Sequence, residues 1–123
     1  MTGTKPKDAQ RELNARISNR VVQVMREYTG RGPTRARTTY ADDLVSVVLQ
    51  DTLTPGERAL VADDKHETVL AVRGAYQDTM SERLINEVEE LTERKVLAFM
   101  SANHIDPDLG IESFELAPVG TAT

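Results

Sequence analysis

The spacing of apolar residues divides the chain into helical and strand-like segments. Over residues 8–28 apolar side chains recur every three or four positions, which predicts an amphipathic helix capped by Asp8 and stopped at Gly30. A second stripe predicts a helix over 65–92, roughly 40 Å long, and we expect part of it to extend beyond a compact domain and meet a second copy. The stripe consists of Val69, Val72, Tyr76, Met80, Leu84, Val88 and Leu91.

Two predicted strands follow each helix. Residues 35–40 and 44–50 are rich in β-branched residues and surround a short turn, and 95–102 and 110–116 repeat this order after the second helix. The runs 44–50 and 95–102 are apolar on both faces, which predicts strands covered from both sides. The sequence therefore predicts an α+β fold. Two α-β-β units would form a mostly antiparallel four-stranded sheet packed against the long helix.

A capping box marks the connection between the two units. Thr54 is followed by Pro55 and, three residues on, by Glu57, which predicts a short helix over 55–62. Asp64 and Glu67 have the same spacing at the start of the long helix. With 123 residues the chain predicts a single domain over 8–117, with disordered segments at 1–7 and 118–123.

Charge and composition exclude several functional classes for this protein. Residues 1–40 carry nine Lys and Arg against three acids, whereas residues 41–123 carry six against seventeen. Such a split marks either a partner surface or a basic segment that packs on the acidic remainder, and the second reading is favoured. The acidic total and the lack of an aromatic platform argue against nucleic-acid binding. The absence of cysteine, signal-peptide features and long apolar runs favours a soluble intracellular protein.

The strongest candidate for ligand binding is the segment that follows the first helix. Arginine forks suit phosphate and carboxylate groups, and backbone amides beside glycines add donors. The candidate ligand-binding residues are Gly30, Arg31, Gly32, Arg35 and Arg37. The segment lacks the spacing of a phosphate-binding loop. A helix stop leading into a strand with outward arginines explains the same residues and is favoured.

Other polar groups offer little chemistry. His104, Asp106 and Asp108 lie within five residues of one another, but their loop has the composition of a hairpin turn and too few ligands for a metal cage. His66 accompanies acids in the first turn of the long helix, where such acids complement the helix dipole. No nucleophile and base are arranged for catalysis, so we expect no enzyme, no metal site and no cofactor.

Several spaced motifs resemble those of the MpsC-like family, named for a sodium-translocating membrane-potential-generating system. The motifs are Tyr28-Thr29-Gly30-Arg31-Gly32-Pro33, Leu53-Thr54-Pro55-Gly56-Glu57, Val72-Arg73 and Leu91-Thr92-Glu93-Arg94-Lys95-Val96. The resemblance implies a small soluble protein associated with bacterial membrane systems for cation or inorganic-carbon uptake, without a defined catalytic set. The family usually has glycine in place of Glu93, so the second helix-to-strand turn is expected to differ.

Two functional hypotheses follow. The first is a noncatalytic cytosolic accessory or regulatory protein that is homodimeric and serves a membrane ion or bicarbonate uptake system through a protein partner. A peripheral position at the inner membrane belongs to this hypothesis. The alternative is a small-anion or nucleotide sensor that uses Arg31, Arg35 and Arg37. Neither hypothesis includes membrane insertion.

Overall fold

The computed structural model describes residues 6–119, which form three helices and four strands. The helices are α1 (Pro6–Thr29), α2 (Pro55–Ala62) and α3 (His66–Thr92). The strands are β1 (Arg35–Ala41), β2 (Leu44–Gln50), β3 (Val96–His104) and β4 (Leu109–Leu116). The predicted α+β fold with two α-β-β units is therefore confirmed, and the strand boundaries differ from the predicted ones by at most two residues.

All neighbouring strands in the sheet are antiparallel. The order is β1-β2-β4-β3, so the two hairpins meet through β2 and β4, and the two edge strands are β1 and β3. Val47 and Glu112 are register partners at the centre of the sheet. The register shifts between Val96 and Ala98, which marks a bulge near the start of β3.

Both long helices pack on the same face of the sheet. Their buried apolar residues form one core with the inward residues of β2 and β4, among them Val45, Val47 and Phe114. Ion pairs join the helices, with Arg20 on α1 lying 2.6 Å from Glu87 on α3. Part of the basic N-terminal segment thus packs against the acidic remainder, as the favoured reading of the charge split predicts.

The two units share a corner where the helix passes into the sheet. In the first, Thr29 Oγ1 donates to the carbonyl of Met25, and Gly30 follows with φ of 80°. In the second, Thr92 Oγ1 donates to the carbonyl of Val88, and Glu93 follows with φ of 57°. The expected difference at the second turn is wrong, because Glu93 adopts the left-handed conformation that glycine adopts more easily.

The long helix buries a different stripe from the predicted one. Val69 and the predicted residues from Met80 onward are buried. Between Val69 and Met80, the buried residues of α3 are Arg73 and Gln77. Val72 and Tyr76 instead lie at the surface beside Tyr28. Buried positions run from Val69 to Leu91, so α3 packs on its own domain over most of its length and the predicted overhang is wrong.

Two predicted caps are also wrong. Asp8 lies inside α1, and the cap residue of α3 is Lys65 without a side-chain hydrogen bond, because Asp64 takes a left-handed conformation. The Thr54–Glu57 capping box is confirmed, with both reciprocal hydrogen bonds present. The second face of the strands predicted to be covered on both sides has none of residues 6–119 packed over it, because α1 and α3 both lie on the other face, so its covering by a second copy stays a prediction.

The predicted disordered segments 1–7 and 118–123 lie mostly outside the described residues. Pro6 and Lys7 are the first residues of α1, and Pro118 and Val119 follow β4. Of the helices in the described chain, none combines the length and the apolar character that crossing a bilayer requires.

The left-handed conformation of Glu93 predicts a stabilising substitution. We expect Glu93→Gly to raise the free energy of unfolding by about 0.5–1 kcal/mol, because glycine adopts this conformation without a Cβ clash. Glu82→Gly, an exposed position in the interior of α3, is the matched control and should lower it by about 1 kcal/mol. Urea unfolding measures both, and a loss of stability in Glu93→Gly would contradict the assignment.

Candidate functional site

The structure separates the predicted ligand-binding residues into two groups. Arg31 donates to the carbonyls of Asp51 and Leu53 at 2.6 and 3.1 Å, and to the Asp51 carboxylate at 2.7 Å. The hydrogen bond from Arg31 lowers the pKa of Asp51. A Cβ added at Gly32 would lie 3.1 Å from Cγ1 of Val22, so this glycine permits close packing against α1. Gly30 ends the helix, and these three residues therefore build the corner.

Arg35 and Arg37 lie elsewhere, on the outer edge of the sheet. They occupy alternate positions of β1, so both point to the uncovered face, and both are exposed. Neither makes an ion pair or a side-chain hydrogen bond with any of residues 6–119. Of the predicted site, these two arginines remain available to a ligand or partner, and their role stays a prediction.

The uncovered face is the face of the sheet opposite the helices, and its side chains form a regular grid of four rows across four strands. The strand register sets the rows, each read from β1 through β2 and β4 to β3. They are Ala41-Leu44-Glu115-Ala98, Thr39-Ser46-Ser113-Met100, Arg37-Val48-Ile111-Ala102 and Arg35-Gln50-Leu109-His104. Apolar residues occupy much of this face, and the basic pair lies along one edge.

A shallow groove of about 400 Å³ lies on the uncovered face. Val48, Ile111, Ala102 and Leu109 supply most of its lining. On the edge strand β3 itself, Leu97 and Met100 are 58% and 55% exposed. A sheet face with this much exposed apolar surface is typical of a protein contact.

Under the helices, on the opposite side of the sheet, lies a set of buried polar side chains. This buried polar cluster consists of Glu57 on α2, Arg73 and Gln77 on α3 and Glu112 on β4, together with the half-buried Asn103 on β3. Gln77 donates to Glu112 Oε1 at 3.0 Å and exchanges hydrogen bonds with Asn103 at 3.2 and 2.7 Å. These hydrogen bonds join α3 to both β3 and β4 through side chains.

Glu112 is the most perturbed group in the cluster. Its side chain is fully buried, and its neighbours across the sheet, Val47 and Ser101, carry no charge. Burial raises the pKa of Glu112 to about 7, while the hydrogen bond from Gln77 and the positive charge of Arg73 act in the opposite direction. This carboxyl therefore changes its charge close to neutral pH.

Arg73 and Glu57 are loosely paired for buried charges. Nη1 of Arg73 lies 3.5 Å from Glu57 Oε1 and 3.3 Å from the carbonyl of Thr52, both longer than an ordinary charge-assisted hydrogen bond. The capping box positions Glu57, since its Oε1 accepts from the amide of Thr54. Oε2 of Glu57, Nε of Arg73 and Oε2 of Glu112 have no hydrogen-bond partner among the described residues.

The turn between β3 and β4 is held by Asp108. Its carboxylate accepts from the amide and hydroxyl of Thr52 and from the amide of Leu53, at 2.8–3.1 Å. His104 Nδ1 contacts the carbonyl of Pro107 at 2.8 Å. Asp108 is thus engaged with the backbone of the neighbouring segment, and across residues 6–119 no three His, Cys, Asp or Glu side chains come together to hold a metal.

The sequence reading missed the buried polar cluster, although one signal for it was present. In β4, Phe114 and Leu116 point inward, and the strand period of two then places Glu112 inward as well. On α3 the helical period favoured Val72 and Tyr76, because an apolar stripe is the ordinary expectation for a packed helix. Only the packing shows that Arg73 and Gln77 turn toward Glu112.

The raised pKa of Glu112 predicts a pH-dependent stability. In the unfolded chain this carboxyl has a pKa near 4.5, so between about 4.5 and 7 the folded state holds a proton that the unfolded state has lost. The free energy of unfolding should therefore fall as the pH rises through this window, by on the order of 3 kcal/mol in total.

Urea unfolding of wild type and Glu112→Gln at a series of pH values measures this effect. The variant should lack this component of the fall and be the more stable protein at about pH 8, because its amide carries no charge to bury. Glu115→Gln, on the same strand but on the uncovered face, is the matched control and should follow wild type. Parallel curves for wild type and Glu112→Gln would show that Glu112 does not titrate in this range.

Comparison with known proteins adds one result to this geometry. No functionally curated protein and no solved structure matches the sequence. Residues 9–117, nearly the whole described chain, match the family described as Na+-translocating membrane potential-generating system (MpsC), and this family name implies a link to a Na+ membrane-potential system. The protein belongs to the MpsC family.

Proposed function

We propose that this protein is a noncatalytic accessory or regulatory component of a membrane ion or bicarbonate uptake system, acting in the cytosol through protein contacts. The single observation that carries the proposal is the uncovered face of the sheet, with its apolar groove beside a free pair of arginines. The family description supports the link to a membrane system. Peripheral placement at the inner membrane is part of the same proposal.

We assign the uncovered face to a second copy of the chain, which makes the working unit a homodimer. Strand spacing and length give this face a projected area of about 450 Å², within a factor of two of the about 800 Å² that each partner contributes to a standard interface. Its two central apolar residues, Val48 and Ile111, are neighbours in the register. Two such faces cover each other's exposed apolar residues, the arrangement found in β-sandwiches.

Charge placement favours one orientation of the two copies. Arg35 stands at the start of β1, and Asp42 is exposed in the turn just after its end. A two-fold axis that runs across the strands exchanges the two ends of β1. Arg35 then lies near Asp42 of the partner subunit, twice per dimer. The alternative axis, parallel to the strands, places Arg35 over the partner's His104 and gives no such pair.

The substitution Val48→Glu tests the dimer. Wild type should have a mass of about 27 kDa by light scattering at micromolar concentration, twice the 13.6 kDa of the chain, whereas the variant should be monomeric because a charge enters the apolar centre. The variant should still fold, since the new carboxylate lies across from Arg37 in the register. Leu70→Glu, an exposed apolar position on α3, is the matched control and should remain dimeric.

The same variants test the link to the membrane system in cells. A strain that lacks the gene should lose ion-dependent growth and recover it with wild type or Leu70→Glu, but not with Val48→Glu. A monomeric wild type would contradict the homodimer. Full rescue by Val48→Glu would show that the accessory role does not use this face.

A second candidate function, small-anion or nucleotide sensing, is favoured by one observation. Arg35 and Arg37 are adjacent on one face and free of described partners, whereas Arg31 is engaged with Asp51. Phosphate or a nucleotide should therefore raise the melting temperature of wild type, and Arg35→Ala/Arg37→Ala should abolish the shift. Arg16→Ala/Arg26→Ala, at two exposed positions of α1, is the control with the same loss of charge, and an equal loss of the shift in that variant would indicate unspecific screening.

A further inference from the structure

The buried polar cluster contains two carboxyl groups and one guanidinium. Glu57 approaches Arg73 from α2, and Glu112 approaches the same region of α3 from the sheet. All three residues are at most 5% exposed, and each retains one side-chain polar atom without a hydrogen-bond partner among the described residues. When both carboxyls are ionised, one buried cation faces two buried anions, an arrangement that leaves one negative charge uncompensated.

We propose that Glu112 and Glu57 compete for Arg73, so that ionisation of Glu112 draws the guanidinium away from Glu57 and loosens α2 from α3. The cluster is then a proton-responsive switch within the fold. It acts independently of the sheet face and does not rest on the proposed function. The bound species is the proton itself, held on the carboxyl of Glu112.

The contacts of α2 show why its position depends on Arg73. This helix has only eight residues, and Glu57 is its one buried residue. Arg73 binds both Glu57 and the carbonyl of Thr52 just before the helix, so one guanidinium holds two points of this region. Within residues 6–119, the other polar side-chain contacts between α2 and neighbouring segments are ion pairs from Arg58 to Asp51 and Asp108, and the Arg58 side chain is half exposed. Exposed ion pairs hold an element weakly.

Among the side chains that face Glu112, Arg73 is the charged group, and it is the one we expect to move when Glu112 ionises. The residues that face Glu112 are Arg73 and the neutral Gln77 of α3, Ser101 and Asn103 of β3, and Val47 of β2. Glu57 of α2 acts through Arg73. The distances also favour movement, because Arg73 holds Glu57 at 3.5 Å and has an unpartnered Nε. A guanidinium in a tight bidentate pair would lack this freedom.

Amide hydrogen exchange of α2 tests the switch. Between about pH 6 and pH 8 the protonated fraction of a group titrating near 7 falls about tenfold, so α2 protection, corrected for intrinsic exchange, should fall by up to about tenfold in wild type. In Glu112→Gln the protection of α2 should be the same at both pH values. Carbon-13 NMR of the Glu112 carboxyl, recorded on the same samples, should show it titrating over the same range.

Two further variants separate the switch from a general change in stability. Glu57→Gln removes the competing charge, so protection of α2 should be low at both pH values and insensitive to pH. Glu115→Gln should keep the wild-type response. Core amides of α1 report global unfolding, whose free energy also falls as Glu112 ionises, so α2 amides should exchange through a local opening and be less protected than those of α1. Equal protection of α1 and α2 at both pH values would show that α2 opens only in global unfolding and would overturn the proposal. Unchanged protection of α2 in wild type, or a fall that persists in Glu112→Gln, would overturn it as well.

Discussion

The structure depends on the way α3 meets the sheet. Rotating this helix by one residue would bury Val72 and Tyr76, the ordinary apolar choice, and would remove Arg73 and Gln77 from the interior. The observed orientation instead pairs Gln77 with Glu112 and Arg73 with Glu57. Buried ionic groups of this kind add little net stability, but breaking one leaves an uncompensated charge. They therefore fix which face of α3 points inward, and α2 and the β3–β4 turn follow from that choice.

The duplicated α-β-β unit explains why the sheet has one bare face. Each unit places its helix on the same side of its hairpin, so joining the units through β2 and β4 brings both helices to one face. The shared corners hold this geometry. Arg31 donates to Asp51 and nearby carbonyls in the first unit, and Arg94 donates to Asp43 and to the carbonyls of Asp42 and Ala117 in the second. The apolar residues on the other face are then left for a contact outside the chain.

Local signals were enough to predict the elements of this fold. The Thr54–Glu57 capping box, the glycine stop at Gly30 and the β-branched runs each act within a few residues, and each is found where the sequence places it. The buried polar cluster depends on long-range packing. Glu112 contacts Gln77 from 35 residues away, and the choice between Tyr76 and Gln77 as the buried residue is made by that contact. Helical periodicity contains no information about such a long-range contact.

The sequence alone also could not show which arginines after the first helix have a structural role and which are free. Arg31, Arg35 and Arg37 have the same chemistry, yet the corner uses the first for three hydrogen bonds and the strand leaves the other two free. What separates them is Asp51, whose left-handed backbone turns the chain at the end of β2 and places its carboxylate beside Arg31. The same carboxylate pairs with Arg58 of α2. Asp51 therefore joins α2, the helix that the cluster holds, to the corner that leads into β1 and its exposed arginines.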